Sequence, residues 1–441
     1  MVKSSLQSFR WSLYDGPPFP YIASVTKTNG TRQSFHFSSI LSTFTPAMSQ
    51  EILREMIEGP LRASLADFDS LIEFVDECFP GDRDQGGMLA RWPHCYIPKK
   101  IGNCLIIKDS SKAVSHVGYV DQTLLVDGEE VKVAGITGVA TWPTYRRRGF
   151  MTQLLNYSIS LMREEGYAFS DLGGDRQRYA RFGWERAGRQ WLFDITPRSL
   201  HAVDAPKGYQ VNQYRVRPDE VDSTFALHGR ELLGVKRTRN LHEMLLGRKG
   251  KEVWLAQGSE GIVAYAVADP GEKHQEILEF GGTSNGIHAL LMHLTEALGS
   301  ETIRIYSPWS HPLNPLFFSM SSRWHVNCQR MIKILDLEAT LRGFTNQLVG
   351  RYRKLGLQGS RNIALGIEGT DQLVEIEFSP EELLVRRASG FSGALTLSEL
   401  QIVRLLFGPS TPSAEFTLPP SALFLDGLLP LDFYIWVNDA V

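Results

Sequence analysis

Thr144-Tyr145-Arg146-Arg147-Arg148-Gly149-Phe150-Met151-Thr152 decides how the chain is read, because a strand should end just before it and a helix should begin inside it. Upstream, Ile136-Thr137-Gly138-Val139-Ala140-Thr141 has strand character. Downstream, Met151, Leu154, Leu155, Ile159 and Met162 recur at helical spacing as far as the stop signal Gly166. A helix start presents backbone N–H groups without partners and the positive end of the helix dipole, so a phosphate can dock there. The three successive arginines add positive charge, and Gly149 lets oxygen atoms approach the backbone closely. Alone, the run also fits a solvated basic turn before an ordinary amphipathic helix.

A second segment follows an expected short strand over 167–172: Gly173-Gly174-Asp175-Arg176-Gln177-Arg178-Tyr179-Ala180-Arg181-Phe182-Gly183-Trp184. Together the two segments resemble GNAT N-acetyltransferases, in which strand, R-x-x-G turn, long helix, second strand and a Tyr-x-x-Phe-Gly segment follow in that order. The closer similarity is to the Eis-type branch (enhanced intracellular survival), with V-x-V-x-P-T-x-R-R-R-G followed by Y-x-R-F-G-Y. Here the runs read Val139 to Gly149 and Tyr179 to Trp184. Common GNAT proteins carry a second small residue two places after the first glycine, where this chain has Met151; the Eis branch also carries larger residues there.

The chain has 441 residues, 43% hydrophobic and 22% charged, enough to bury several cores. A net charge of −3 gives no electrostatic case for nucleic acid, and no apolar stretch reaches the ~18 residues of a membrane span. Cys78, Cys95, Cys104 and Cys328 form neither a disulfide framework nor a Cys-x-x-Cys motif, so a reducing cytoplasm is expected. The histidines form no ligand pair, and no metal is expected.

The fold class expected is α+β: tandem GNAT-like mixed-sheet domains followed, as the resemblance implies, by a sterol-carrier-like α+β domain. Residues 1–50, rich in Ser and Thr and poor in acids, are expected to be a disordered leader. Residues 51–196 form the catalytic domain, with an opening helix near Phe68–Val75, a hairpin turn at Asp127-Gly128 and a final hairpin over 184–195. Residues 208–334 repeat the order of elements, but their turn, Gly281-Gly282-Thr283-Ser284-Asn285-Gly286, lacks arginines; they read as a degenerate GNAT-like domain walling the substrate, or as an unrelated α/β unit. Residues 335–441, opening with a helix over 337–355, occupy the position of a sterol-carrier-like domain in the Eis resemblance. The last residues, Phe433 to Val441, begin as a buried-type strand, which is unusual for a chain end.

The resemblance implies acetyl-CoA as co-substrate. It places backbone donors of Val139, Ala140 and Thr141 along the pantetheine arm, Arg147, Arg148, Gly149, Phe150, Met151 and Thr152 on the pyrophosphate, and Gly174 and Asp175 at a further cofactor contact. It also implies Tyr179 as general acid, the terminal carboxylate of Val441 in the active site, and a hexamer. Tyr179 also fits plain packing beside Phe182, and the tail fits an edge strand that merely packs. The chemistry agrees with the first set. An amine must lose a proton before attack, a carboxylate can orient the ammonium and relay that proton, and a phenol of pKa about 10 can protonate the departing thiolate. No cysteine falls in the motif, so direct transfer in a ternary complex is expected, to an aminoglycoside, polyamine or lysine amine. A noncatalytic acetyl-CoA sensor or a lipid- or partner-binding module is the alternative, as is an enzyme using another acyl-CoA.

Overall fold

The computed structural model describes residues 10–12, 22–26, 32–36, 57–271, 274–296, 299–390 and 393–441. Within the expected leader, Arg10–Ser12, Ile22–Thr26 and Arg32–His36 pair antiparallel; the rest of that segment lies outside the described residues.

The first large sheet grows from local signals. Alternating apolar residues give the strands Lys112–Val126 and Glu129–Thr141, and Asp127 and Gly128 close their hairpin with φ of 49° and 91°. The opening helix runs Phe68–Cys78 and buries Leu71, Phe74 and Val75. The helix Phe150–Glu164 then crosses over to Phe169–Leu172, which lies parallel to Glu129–Thr141. Its apolar face, Phe150, Leu154, Leu155, Ile159 and Met162, is buried.

The second sheet repeats this order with Gly261–Asp269, His274–Gly282, the helix Ser284–Glu296 and the parallel strand Thr302–Pro308. The two sheets exchange strands across the junction expected at 196–208. The hairpin expected over 184–195 does not form, because Glu185–Ala187 and Gln190–Ile195 go to different sheets. Glu185–Ala187 pairs with Arg330–Ile334, which inserts beside Phe169–Leu172 in the first sheet. Gln190–Ile195 lies between Thr302–Pro308 and Arg323–Asn327 in the second. The strand Leu233–Val235 likewise leaves the second region to pair with Lys112–Val126.

The third sheet is smaller, in the order Leu383–Arg387, Leu373–Phe378, Arg361–Ile367, Leu395–Leu397. The helix expected over 337–355 is two helices, Leu337–Arg342 and Thr345–Lys354. They break at Gly343, where a Cβ would lie 2.5 Å from a Val131 methyl, so the break is also a close approach to the first sheet.

The strand expected from Phe433 does not form. Residues 431–436 are buried without regular secondary structure, and their backbone is met by side chains. Gln347 donates to the Asp432 carbonyl and accepts from the Asp432 N–H, and Gln329 does the same at Ile435. Two glutamine amides thus stand in for a neighbouring strand. Phe433 packs on Phe169 and Phe407, and Trp436 on Phe280, so the tail joins all three regions. Each such ring stabilises the assembly by about 1.5–3 kcal/mol relative to exposure.

Candidate active site

Three local features open a groove in the first sheet. The register between Lys112–Val126 and Glu129–Thr141 shifts from Gly118↔Thr137 to His116↔Ala140, leaving a bulge at Gly138, whose φ is 59°. A Cβ there would lie 2.3 Å from the Tyr96 hydroxyl, so only glycine fits. The bulge is held by His116, whose Nδ1 lies 2.7 Å from the Gly138 carbonyl. Burial pushes that imidazole down to about 4, so it is neutral and its Nδ1–H donates to the carbonyl. Ser115 adds a hydrogen bond from its hydroxyl to the Ala140 carbonyl at 3.0 Å.

The parallel pairing with Phe169–Leu172 ends at Gly135↔Asp171, while Glu129–Thr141 continues to its full length. Two neighbouring strands therefore part, and the edge of residues 136–141 is left open toward the Phe150–Glu164 helix.

The helix start completes the groove. Gly149 caps it at φ 81°, and a Cβ there would meet nothing nearer than the Gln153 amide nitrogen at 4.0 Å. Arg147 also takes a left-handed conformation, with φ 66°, uncommon for a residue with a side chain. Such backbone strain collects where a turn is shaped for a ligand. Tyr145 stacks on Phe150, and the Arg148 guanidinium lies over the Tyr145 ring, 5.0 Å from its centroid.

The resulting groove has a volume of about 480 Å³. Of the residues expected at the cofactor, Val139, Ala140, Thr141, Arg147, Gly149, Phe150, Met151 and Thr152 line it. Arg148, Gly174 and Asp175 do not; Asp175 instead caps the short helix Arg176–Tyr179 by accepting from the Gln177 N–H at 3.0 Å. Capping gives this acid a structural role beside the arginine-rich turn.

Arg146, one of the three arginines expected to add charge there, also lines the groove, as do Arg178 and Arg181, to which sequence reading gave no cofactor role. Their signal was available: two more arginines flank Tyr179 on one helical turn. The Cys78 thiol lies in the lining as well. Burial pushes it up, against the pull of Arg146, which keeps it protonated at neutral pH and a poor acyl carrier.

Tyr179, expected as the general acid, is buried and is not among the residues that line the groove, although Arg178 and Arg181 on either side of it are. Its ring packs on Gly174, where a Cβ would lie 2.6 Å from Cε2, and meets Trp184 edge-on. Burial pushes the phenol up, and the neighbouring Arg178 guanidinium, which itself lines the groove, opposes the shift.

Val441 reaches the point where the strands part. Its Cγ2 lies 2.2 Å from where a Cβ on Gly135 would stand, so Gly135 is the socket for this side chain. Asp171 Oδ1 lies 3.2 Å from the same point, and the other oxygen accepts from Arg330 Nε at 2.7 Å. Burial pushes the Asp171 carboxyl up while Arg330 opposes. Sequence reading missed Asp171, although an acid inside the apolar run over 167–172 is itself a signal.

Among the described residues, His228, His242 and Glu279 have the spacing of a metal site. The Arg237 guanidinium already bonds both Glu279 oxygens and lies 3.1 Å from His242 Nδ1, so a cation would have to displace it.

Residues 61–187 match the family model described as an acetyltransferase (GNAT) domain. Solved structures share the fold across nearly their whole lengths. A GCN5-related N-acetyltransferase from Kribbella flavida is 16% identical, covering 88% of this chain and all of that one, with a TM-score of 0.65. A conserved protein from Enterococcus faecalis described as a probable N-acyltransferase is 16% identical, covering 86% and 96%, with a TM-score of 0.63. Eis1 from Mycobacterium abscessus is 14% identical, covering 87% and 100%, with a TM-score of 0.61. No curated protein matches the sequence closely enough to count as a relative.

Proposed function

We propose that the protein transfers an acetyl group from acetyl-CoA to a primary amine, directly and in a ternary complex. The observation that carries this reading is the arginine-lined groove running from an open helix start to an unpaired strand edge. A pyrophosphate suits the Phe150–Glu164 helix start with Arg146, Arg147, Arg178 and Arg181 around it. A pantetheine arm, with its amides, suits the free edge at 136–141, much as a peptide adds to a sheet.

The amine nitrogen then attacks the thioester carbonyl carbon. The C–N bond forms, the C–S bond breaks, and the leaving thiolate takes a proton from Tyr179. The proton shed by the nitrogen passes to the carboxylate of Val441, directly or through water. Arg148, Gly174 and Asp175, which lie outside the groove lining, take no direct part in this reading, and the acceptor class spans aminoglycosides, polyamines and lysine side chains. Acetyl-CoA is the co-substrate and no metal takes part. Among the described residues no helix is long and apolar enough to cross a membrane. A cytoplasmic setting, a sterol-carrier-like third region and a hexamer belong to the same proposal, drawn from cysteine usage and resemblance.

The test is thiol release. Purified protein with acetyl-CoA and a panel of polyamines, aminoglycosides and lysine peptides should release CoA with at least one acceptor. Binding of acetyl-CoA with no release above background for any of them would favour a noncatalytic sensor. Competition by longer acyl-CoAs would expose a different donor preference, with Trp142 and Phe150 as candidate limits on chain length.

A further inference from the structure

The tail that reaches the first sheet is gripped from the second. Arg237 is fully buried, and its guanidinium forks onto two carboxylates. Nη1 and Nη2 donate to Glu279 at 2.8 and 2.6 Å, while Nε and Nη2 donate to Asp439 at 2.7 and 2.7 Å. Glu279 lies on His274–Gly282 and also accepts from the Tyr265 hydroxyl at 2.6 Å. A planar fork bonding two acids fixes both in its own plane, so the second sheet dictates where Asp439 sits.

Within two residues the chain is on the first sheet. Gln122 Nε2 donates to the Asp439 carbonyl at 2.9 Å, and His94 Nε2 lies 3.2 Å from the Ala440 carbonyl. Burial pushes His94 down to about 3, so it is neutral there. Next comes Val441 in the Gly135 socket, beside Asp171. Two residues span only about 7 Å, so a shift at Asp439 has little slack in which to dissipate.

We infer that Arg237 is a positioning residue for acyl transfer: acting through Asp439, it sets where Val441 lies at the parting of the first sheet's strands. The second region, which has no arginine turn of its own, thereby completes the site of the first. This rests on the acyl-transfer reading above.

Removing Arg237 would strand two buried carboxylates against each other and risk unfolding, so Asp439→Asn is the decisive variant. It keeps the volume and leaves the Arg237–Glu279 pair intact. The expected result is a kcat for CoA release lowered about tenfold or more by misplacement, with acetyl-CoA affinity held within about twofold. Deuterium uptake by the amides of 436–441 should rise. Asp439→Asn combined with deletion of Val441 should cost no more than the larger single change, since both act through one element. Full turnover in Asp439→Asn, unchanged uptake in the tail, or two losses that multiply would each overturn the inference. A wild-type protein that never releases CoA overturns the acyl-transfer reading and the positioning role with it. Exchange in that same sample still separates a tail held by Arg237 from one that is not.

Discussion

Two helices in this chain follow a strand and a glycine-containing turn, and only one of them opens onto space. At Phe150–Glu164 the turn carries arginines and the glycine faces a gap. At Ser284–Glu296 a Cβ on Gly282 would lie 2.2 Å from the Val263 carbonyl oxygen, and one on Gly286 would lie 2.7 Å from the Ala264 methyl. There the Thr283 N–H donates to Val263 and the Gly286 N–H to the Thr283 hydroxyl, so the protein itself satisfies the helix start. The order of elements is shared, but the turn decides between crevice and seam. Small uncharged residues let the helix settle onto its neighbouring strand. At the other helix the strand pairing ends at Gly135↔Asp171, and the edge beside the turn stays open.

If chemistry belongs to the open crevice alone, Tyr179→Phe should lower kcat by roughly 10²–10⁴-fold, the span of general acid catalysis, while acetyl-CoA affinity stays put. Equal loss in both would make the tyrosine a packing residue. Gly149→Glu should weaken acetyl-CoA binding by about 10²-fold, by placing negative charge within a few Å of phosphate as well as filling the approach; isothermal titration measures it. Arg147→Ala should cost about tenfold in the same assay, the scale of one charge-assisted hydrogen bond.

The crevice lobe should also show acid sensitivity. His116 is neutral in the fold down to about 4, whereas an unfolded histidine protonates near 6.5. The unfolded state therefore binds the extra proton, and stability present at pH 7 is lost as pH falls toward 4, by roughly 2–3 kcal/mol at pH 4.5 from this group. Urea denaturation at both pH values tests it, and His116→Gln should flatten the difference. The smallest effect is the sharpest test of the comparison. Thr283→Arg with Asn285→Arg should create no measurable acetyl-CoA binding in a protein disabled at Gly149, because charge without the gap has nowhere to act.

The crevice was legible in sequence because its grammar is local. Strand, arginine run, glycine and amphipathic helix lie within about thirty residues, and backbone chemistry fixes their consequence. Arg178 and Arg181 escaped because their role depends on how the turn around Tyr179 folds back. The strand exchange was illegible for a plainer reason. Glu185–Ala187 meets Arg330–Ile334 across most of the second region, and nothing in an alternating pattern names a partner that distant. The tail misled in another way. Its apolar run has strand composition, but Gln329 and Gln347 supply the hydrogen bonds a strand would have supplied, and burial alone cannot tell the two apart.

The strand exchange has a bearing on how the protein is made. Because Arg330–Ile334 sits inside the first sheet, a growing chain cannot finish that sheet until the whole second region has left the ribosome. Neither lobe should be obtainable alone as a stable fragment, and the nascent first lobe must wait, with an unfilled seam beside Phe169–Leu172, for a strand made long afterwards.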